Sequence, residues 1–324
     1  MTDRRTRWLA LYVLCLGTLM IVLDTSIVNV ALPSIRASLG FSEASLSWVV
    51  DAYLTFGGFL LLGGRLGDLY GQRRLFIAGI ALFTLASLGC SLSTTQETLI
   101  GARAIQGLGG AIASAVGLSL VVTLFREPAE RAKAMGIAGF VASGGGAIGV
   151  LLGGVLTGLL DWHWIFLVNV PIGVLVCALA LRLVPAGGRV AGSGRLDVAG
   201  AATVTAALVL AVYAIVTGDA AGWTSAATLG LLGGAVALLA VFVWLENHVR
   251  APLIPLGFLR RRDVATANVI GMLWAAAMFA WFFITALYLQ LVLGYGPLAT
   301  RRSRRRAARI ARAGPRPGDR GPVH

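Results

Sequence analysis

The sequence is poor in charge. Aspartate, glutamate, lysine and arginine make up 13% of the chain, about half the ~25% of an ordinary soluble domain. Histidine is as sparse as cysteine, at three of each. Cys15, Cys90 and Cys177 all fall within apolar stretches, which suits small hydrophobes better than disulfide partners or metal ligands. No phosphate-binding loop of the GxxxxGK[ST] kind is present, which excludes an ATP-driven pump domain. No Ser/His/Asp set and no metal cluster appears, so the chain is not read as an enzyme and no metal is expected.

Apolar residues and glycine are abundant instead. Hydrophobic residues reach 57% of the 324 positions, mean hydropathy is +0.84, and 42 glycines are scattered through apolar runs. Glycine is commoner in membrane helices than in soluble ones. The fold class expected is an all-α polytopic membrane protein. The run from Trp8 to Ala31 is too long for a signal-peptide core and lacks a small-residue cleavage site, so it reads as a first span.

A span needs about 20 apolar residues. Nine segments qualify: 8–31, 47–66, 75–93, 98–121, 135–159, 164–184, 197–217, 225–246 and 264–293. With the N-terminus in the cytoplasm, the inner segments carry 16 lysines and arginines, and the outer loops up to residue 294 carry only Arg36. The basic residues thus read as topology signals of a multi-pass membrane protein.

The net charge of +13 is concentrated at the end of the chain, where nine arginines between Arg301 and Arg320 face one acid, Asp319. Nine spans would put that tail outside, on the wrong face for arginine. With one lysine against 26 arginines the gene reads as GC-rich, and the sequence after about Thr300 is read as a disordered frameshift product. The alternative is a basic tail binding nucleic acid or anionic lipid; no nucleic-acid partner is expected.

Ionisable groups inside a span are costly and by default functional. Two remain once span ends are set aside: Asp24 in span 1 and Arg103 in span 4. At 1.5 Å per residue, Asp24 lies roughly 10–12 Å below the outer end of span 1, near Pro33, and Arg103 roughly 8 Å below that of span 4. An aqueous cavity between the two spans would hold them close together. The carboxylate would bind a proton or a cationic substrate while the arginine tunes it; the alternative is a static ion pair. His163, between Trp162 and Trp164, reads as interfacial, and Glu246, Asp197 and Asp263 as hydrated residues at span ends.

Several segments join these residues. Gly64, Gly67 and Gly71 alternate with Asp68, Arg73 and Arg74 between spans 2 and 3. In span 4, Arg103 is followed by Gln106 and Gly107; in span 5, Gly145, Gly149 and Gly153 recur every fourth residue, with Gly154 adjoining. Together these resemble the signatures of the major facilitator superfamily. The stretch Leu23–Pro33, the run Trp162–Gly173, and Pro252–Leu256 with Tyr288–Gln290 narrow the resemblance to its fourteen-span drug:proton antiporters.

The resemblance implies an N-terminal six-helix half over 1–184, two extra spans with a cytoplasmic linker over 185–246, the loop and first span of an incomplete C-terminal half over 247–300, and the tail 301–324. It assigns Asp24, Asn29, Arg103 and Gln106 to the proton and substrate pathway. It assigns Gly64, Gly67, Asp68, Gly71 and Arg73 to a cytoplasmic gate loop, and Gly145, Gly149, Gly153 and Gly154 to a rocking interface. Val150 stands where the family's antiporter signature has proline, and Gln72 where it has a basic residue. The function implied is export of drugs or amphipathic or cationic small molecules across the bacterial cytoplasmic membrane, with the proton gradient as energy source, no cofactor, and accessory export proteins as further partners beside the lipid bilayer. This copy is read as C-terminally truncated and inactive alone. The alternatives are a solute symporter of the same superfamily and a non-transporting membrane partner of a full-length transporter.

Overall fold

A computed structural model describes residues 3–56, 59–186, 198–249, 257 and 261–287 of the chain. The contacts divide it into two units, Met1–Pro255 and Leu256–His324.

The first unit begins with α1, Arg4–Leu39, a helix of 36 residues. Gly40 stops it in the left-handed conformation (φ 69°), its amide bonding the Arg36 carbonyl. Pro33 lies inside the helix rather than at its end. Membrane helices tolerate proline because neighbouring groups re-satisfy the freed carbonyl. The helix thus runs on past Pro33 to Leu39, and Asp24 lies roughly 22 Å from its terminus at 1.5 Å per residue.

Span 2 is built from α2 (Glu43–Phe56) and α3 (Leu60–Tyr70), and α4 (Gln72–Ser91) follows directly. Gly71 makes that last turn possible with φ at 95°, a conformation closed to other residues. Thr95 caps α5 (Gln96–Leu124) through a reciprocal bond with Thr98, and Pro128 opens α6 (Pro128–Leu159) where its missing N–H is harmless. With Val150 in place of proline, α6 runs unbroken. Span 6 is divided at Val168 into α7 (Trp164–Leu167) and α8 (Asn169–Leu183); α9 (Val198–Ala221) and α10 (Ala226–His248) complete the unit. In the second unit α11 covers Arg262–Leu287.

Among the described residues, six helical stretches are long and apolar enough to cross a membrane, corresponding to spans 1, 3, 4, 5, 6 and 8. Spans 2, 7 and 9 fall on α2 with α3, on α9, and on α11. Glu246 departs from its expected hydration: it is buried, at 4% exposure.

Small residues set the closest approaches. A Cβ on Gly109 would stand 2.6 Å from the Phe83 amide nitrogen, and one on Gly79 2.8 Å from that of Ala113, so α4 and α5 touch backbone to backbone. Two apolar clusters lie at successive levels along the bundle. One gathers Leu14 and Met20 of α1, Phe76 and Phe83 of α4, Val116 and Leu120 of α5, and Val176 of α8. The other gathers Ile27 and Ile35 of α1, Cys90 of α4, Leu99 of α5, and Ile165 and Phe166 of α7. Where the two clusters meet lie buried polar side chains: Asp24 of α1, Ser87 of α4, Arg103 and Gln106 of α5, and Asn169 of α8. These side chains form a polar level within the bundle.

Candidate functional site

That polar level is a single hydrogen-bonded network. Arg103 Nη1 donates to Asp24 Oδ2 at 2.6 Å, and the two side chains are 1% and 0% exposed. The other carboxylate oxygen, Oδ1, accepts from Gln106 Nε2 at 2.9 Å and from Asn169 Nδ2 at 2.8 Å. Arg103 Nη1 also meets Gln106 Oε1 at 2.6 Å, and its Nε reaches the Val49 carbonyl at 2.9 Å. The guanidinium lies 4.3 Å from the ring centre of Tyr53 and 5.7 Å from that of Phe166. Ser87 Oγ accepts from Gln106 Nε2 at 2.7 Å and donates to the Phe83 carbonyl at 2.9 Å, while Cys90 Sγ points to Gln106 Oε1 at 3.6 Å.

Removing two charges from water is tolerated only when the attraction between them is supplemented by further hydrogen bonds. Here an arginine on α5 supplies the counter-charge through one short bond, and the carboxylate takes three donors in all from two other helices. Arg103 and Gln106 are three residues apart, which puts both on one face of α5. The aqueous cavity expected between spans 1 and 4 is not what holds the pair: both groups are enclosed by protein.

Asn29 is not brought to this site. It is exposed, and its Nδ2 donates to the Thr25 carbonyl of its own helix at 2.9 Å. Five residues from Asp24 at 100° each, it falls about 140° around the helix. The network adds Asn169, Ser87, Tyr53 and Cys90, none of them singled out for this role by the sequence. For Asn169 a signal existed in the run Trp162–Gly173; neutral or aromatic groups such as Ser87, Cys90 and Tyr53 are too common in membrane helices to stand out.

The span 5 glycines meet α1 as their spacing implies. A Cβ on Gly149 would lie 2.8 Å from both the Leu23 carbonyl oxygen and Ser26 Cβ; on Gly153, 3.0 Å from Ile27; on Gly145, 3.1 Å from Leu19. Gly154 is off this face, with nothing within 4 Å of such an atom.

At the other end of the bundle, Arg73 donates to the Leu181 carbonyl, tying the start of α4 to the end of α8. A cavity of about 420 Å³ opens beside it, lined by Tyr70, Arg73, Arg74, Ile77 and Leu181 among others. Gln72 replaces the expected charge contacts with neutral ones, donating to Ser119 Oγ at 2.7 Å and accepting from Thr123 Oγ1 at 3.3 Å. Gly67 packs closely, a Cβ there being 3.1 Å from Val116, whereas Gly64 has open space around it. The side chain of Asp68 lies outside the described residues. On the same side of the bundle Glu130 of α6 pairs with Arg4 and Arg7 of α1, each at 3.3 Å. Cys15, Cys90 and Cys177 are free thiols, and no metal-binding group is found among the described residues.

Comparison with known proteins agrees with this architecture. Residues 14–303 match the model of the Major Facilitator Superfamily. The puromycin resistance protein pur8 of Streptomyces alboniger is 41% identical over 91% of this chain and 58% of its own length. The cephamycin export protein CmcT of Amycolatopsis lactamdurans is 45% identical over 88% of this chain and 60% of its own. The multidrug resistance protein Stp of Mycobacterium tuberculosis is 39% identical over 91% and 55% respectively. The chain thus spans somewhat more than half the length of these relatives. Among solved structures, the human organic anion transporter MFSD10 superposes with a TM-score of 0.51 at 16% identity, over 65% of this chain and 55% of that one, a likeness of fold alone. The family model covers nearly all of this helical bundle, and several relatives are about 40% identical: the chain belongs to the Major Facilitator Superfamily.

Proposed function

We propose that this chain carries the proton-binding half of an exporter that exchanges protons for amphipathic or cationic small molecules across the bacterial cytoplasmic membrane, as the fourteen-span drug:proton antiporters do. One observation carries the proposal: the Asp24 carboxylate, fully enclosed, is held by Arg103, Gln106 and Asn169 at a polar level of the bundle. Protonation of Asp24 cancels the negative half of the pair and takes from three N–H donors the charged acceptor they share. Since those donors belong to α5 and α8 and the acceptor to α1, the proton acts on the packing between helices. Packed interfaces respond to such a change by switching between discrete arrangements. The glycine contacts of α6 with α1 adjoin Asp24 and supply a face on which helices slide. The names of the relatives, which refer to puromycin, cephamycin and multiple drugs, support export as the direction and drugs as the substrate class.

The full enclosure of the pair favours one rival, a static clamp between α1 and α5. The test joins residues 1–300 to the remaining C-terminal segment of the puromycin resistance relative and reconstitutes the chimaera in vesicles under an imposed pH gradient. Asp24→Asn is expected to abolish gradient-driven efflux of puromycin while the protein still inserts. Undiminished efflux by Asp24→Asn would leave the clamp as the role of the pair.

A further inference from the structure

Asn169, the first residue of α8, is completely buried. Its Nδ2 donates to Asp24 Oδ1 at 2.8 Å, with Ser87 Oγ at 3.5 Å, but its own Oδ1 is buried with no hydrogen-bond partner. Buried acceptors are nearly always satisfied, and an exception calls for a reason. The other asparagines of the described residues, Asn29, Asn247 and Asn268, are exposed and donate to carbonyls four residues back on their own helices. Asn169 alone joins two helices.

The reason lies in what a protonated Asp24 would need. A carboxylate only accepts hydrogen bonds, whereas a carboxylic acid has one O–H to donate. The groups around Asp24 are donors. Arg103 has no acceptor atom. Gln106 has one, but its Oε1 already accepts from Arg103 Nη1 at 2.6 Å, and turning this amide over would set its NH2 against the guanidinium. Among the other titratable groups facing the centre, Tyr53 of α2 presents its ring to Arg103, and the Cys90 thiol of α4 points to Gln106. Ser87 Oγ bonds Gln106 and the Phe83 carbonyl. Asn169 is the partner of Asp24 whose acceptor stands open.

We propose that Asn169 is a positioning residue for the proton on Asp24. With the carboxylate it donates through Nδ2. When hydronium transfers a proton to Oδ1, one of its O–H bonds breaks to leave water and one O–H bond forms on Asp24; the Asn169 amide turns about its Cβ–Cγ bond and its carbonyl oxygen accepts the new O–H. Loss of the proton to water reverses both changes, and no other covalent bond forms or breaks. The hydrogen bond between α1 and α8 persists in both states with its sense reversed. The proposal rests on Asp24 being the site of protonation and names the residue that accommodates it.

Infrared difference spectroscopy on the whole chain in lipid nanodiscs, stepped from alkaline to acidic pH, tests this. A carboxylic C=O band that Asp24→Asn removes is expected on acidification. In protein labelled with 13C-carboxamide asparagine, an amide C=O band shifts with it, and this shift is lost in Asn169→Leu. In the same variant the Asp24 band moves to higher frequency, its O–H having lost an acceptor; Asn169→Ser, whose hydroxyl accepts as well as donates, brings it back toward the wild-type position. An Asp24-dependent band at one frequency in wild type and Asn169→Leu, without an asparagine shift, overturns the role of Asn169 alone. Absence of any band removed by Asp24→Asn overturns both the proton site and its partner. The asparagine shift is read in the wild type, so the test stands even where Asn169→Leu does not fold.

Discussion

Arg103 holds Asp24 at 2.6 Å while its Nε holds the Val49 carbonyl at 2.9 Å, so one guanidinium fastens α5 to both α1 and α2. The pair is therefore part of the packing as well as the seat of the proposed chemistry, and substitutions have to be read on both counts.

Replacing Arg103 by methionine leaves Asp24 buried and charged without its counter-ion. Breaking a buried pair from one side costs about 3–5 kcal/mol. The double variant Asp24→Asn with Arg103→Met removes both charges and is expected to recover most of that loss. Unfolding titrations with a denaturing detergent, followed by circular dichroism, measure the cycle. A double variant as unstable as Arg103→Met alone would show that the aromatic and Val49 contacts of Arg103, and not its charge, carry the stability.

The glycines of α6 differ in what surrounds them. At Gly149 an alanine Cβ would meet backbone oxygen at 2.8 Å, and at Gly154 it would meet nothing within 4 Å. Gly149→Ala should separate α1 from α6 and destabilise the chain by about 1–3 kcal/mol, as overpacking does. Gly154→Ala should be neutral, or stabilising by up to about 1 kcal/mol through helix propensity. The same unfolding assay decides; equal effects at the two positions would contradict the packing described.

The loop between α3 and α4 allows a similar contrast on backbone grounds. Gly71 has φ at 95°, whereas Gly64 is within α3 with open space around it. Gly71→Ala is expected to cost about 1–3 kcal/mol in backbone strain, and Gly64→Ala to stay within about 0.5 kcal/mol. Thermal stability in detergent provides the readout.

Much of this was legible in the sequence, because a bilayer makes some residues conspicuous. Asp24 and Arg103 stand out as charges in apolar runs, Gln106 enters through the family motif it shares with Arg103, and Gly145, Gly149 and Gly153 through their four-residue repeat. Asn29 belongs to the same family stretch as Asp24 but lies about 140° around the helix from it, outside the network. Asn169 and Ser87 were missed as site residues because a neutral polar group acquires its meaning from partners on other helices, which no local pattern records. The extent of α1 beyond Pro33 was not legible, since a membrane helix continues through proline when the freed carbonyl finds another partner.

Orientation is the remaining test. Sixteen basic residues lie in the segments assigned to the cytoplasm and one in the outer loops up to residue 294, an asymmetry that sets topology in short loops. Arg126, between α5 and α6, shares its end of the bundle with the Arg4–Glu130 pair. Thr94, between α4 and α5, lies at the opposite end, where Gln96 donates to the Leu39 carbonyl at 3.1 Å. Both residues are exposed. In a background lacking the three native cysteines, Thr94→Cys should react with a membrane-impermeant maleimide on intact cells, and Arg126→Cys only after the cells are opened. The reverse pattern would invert the molecule in the membrane: Arg73, at the start of α4, would then face outward and could not act in a cytoplasmic gate.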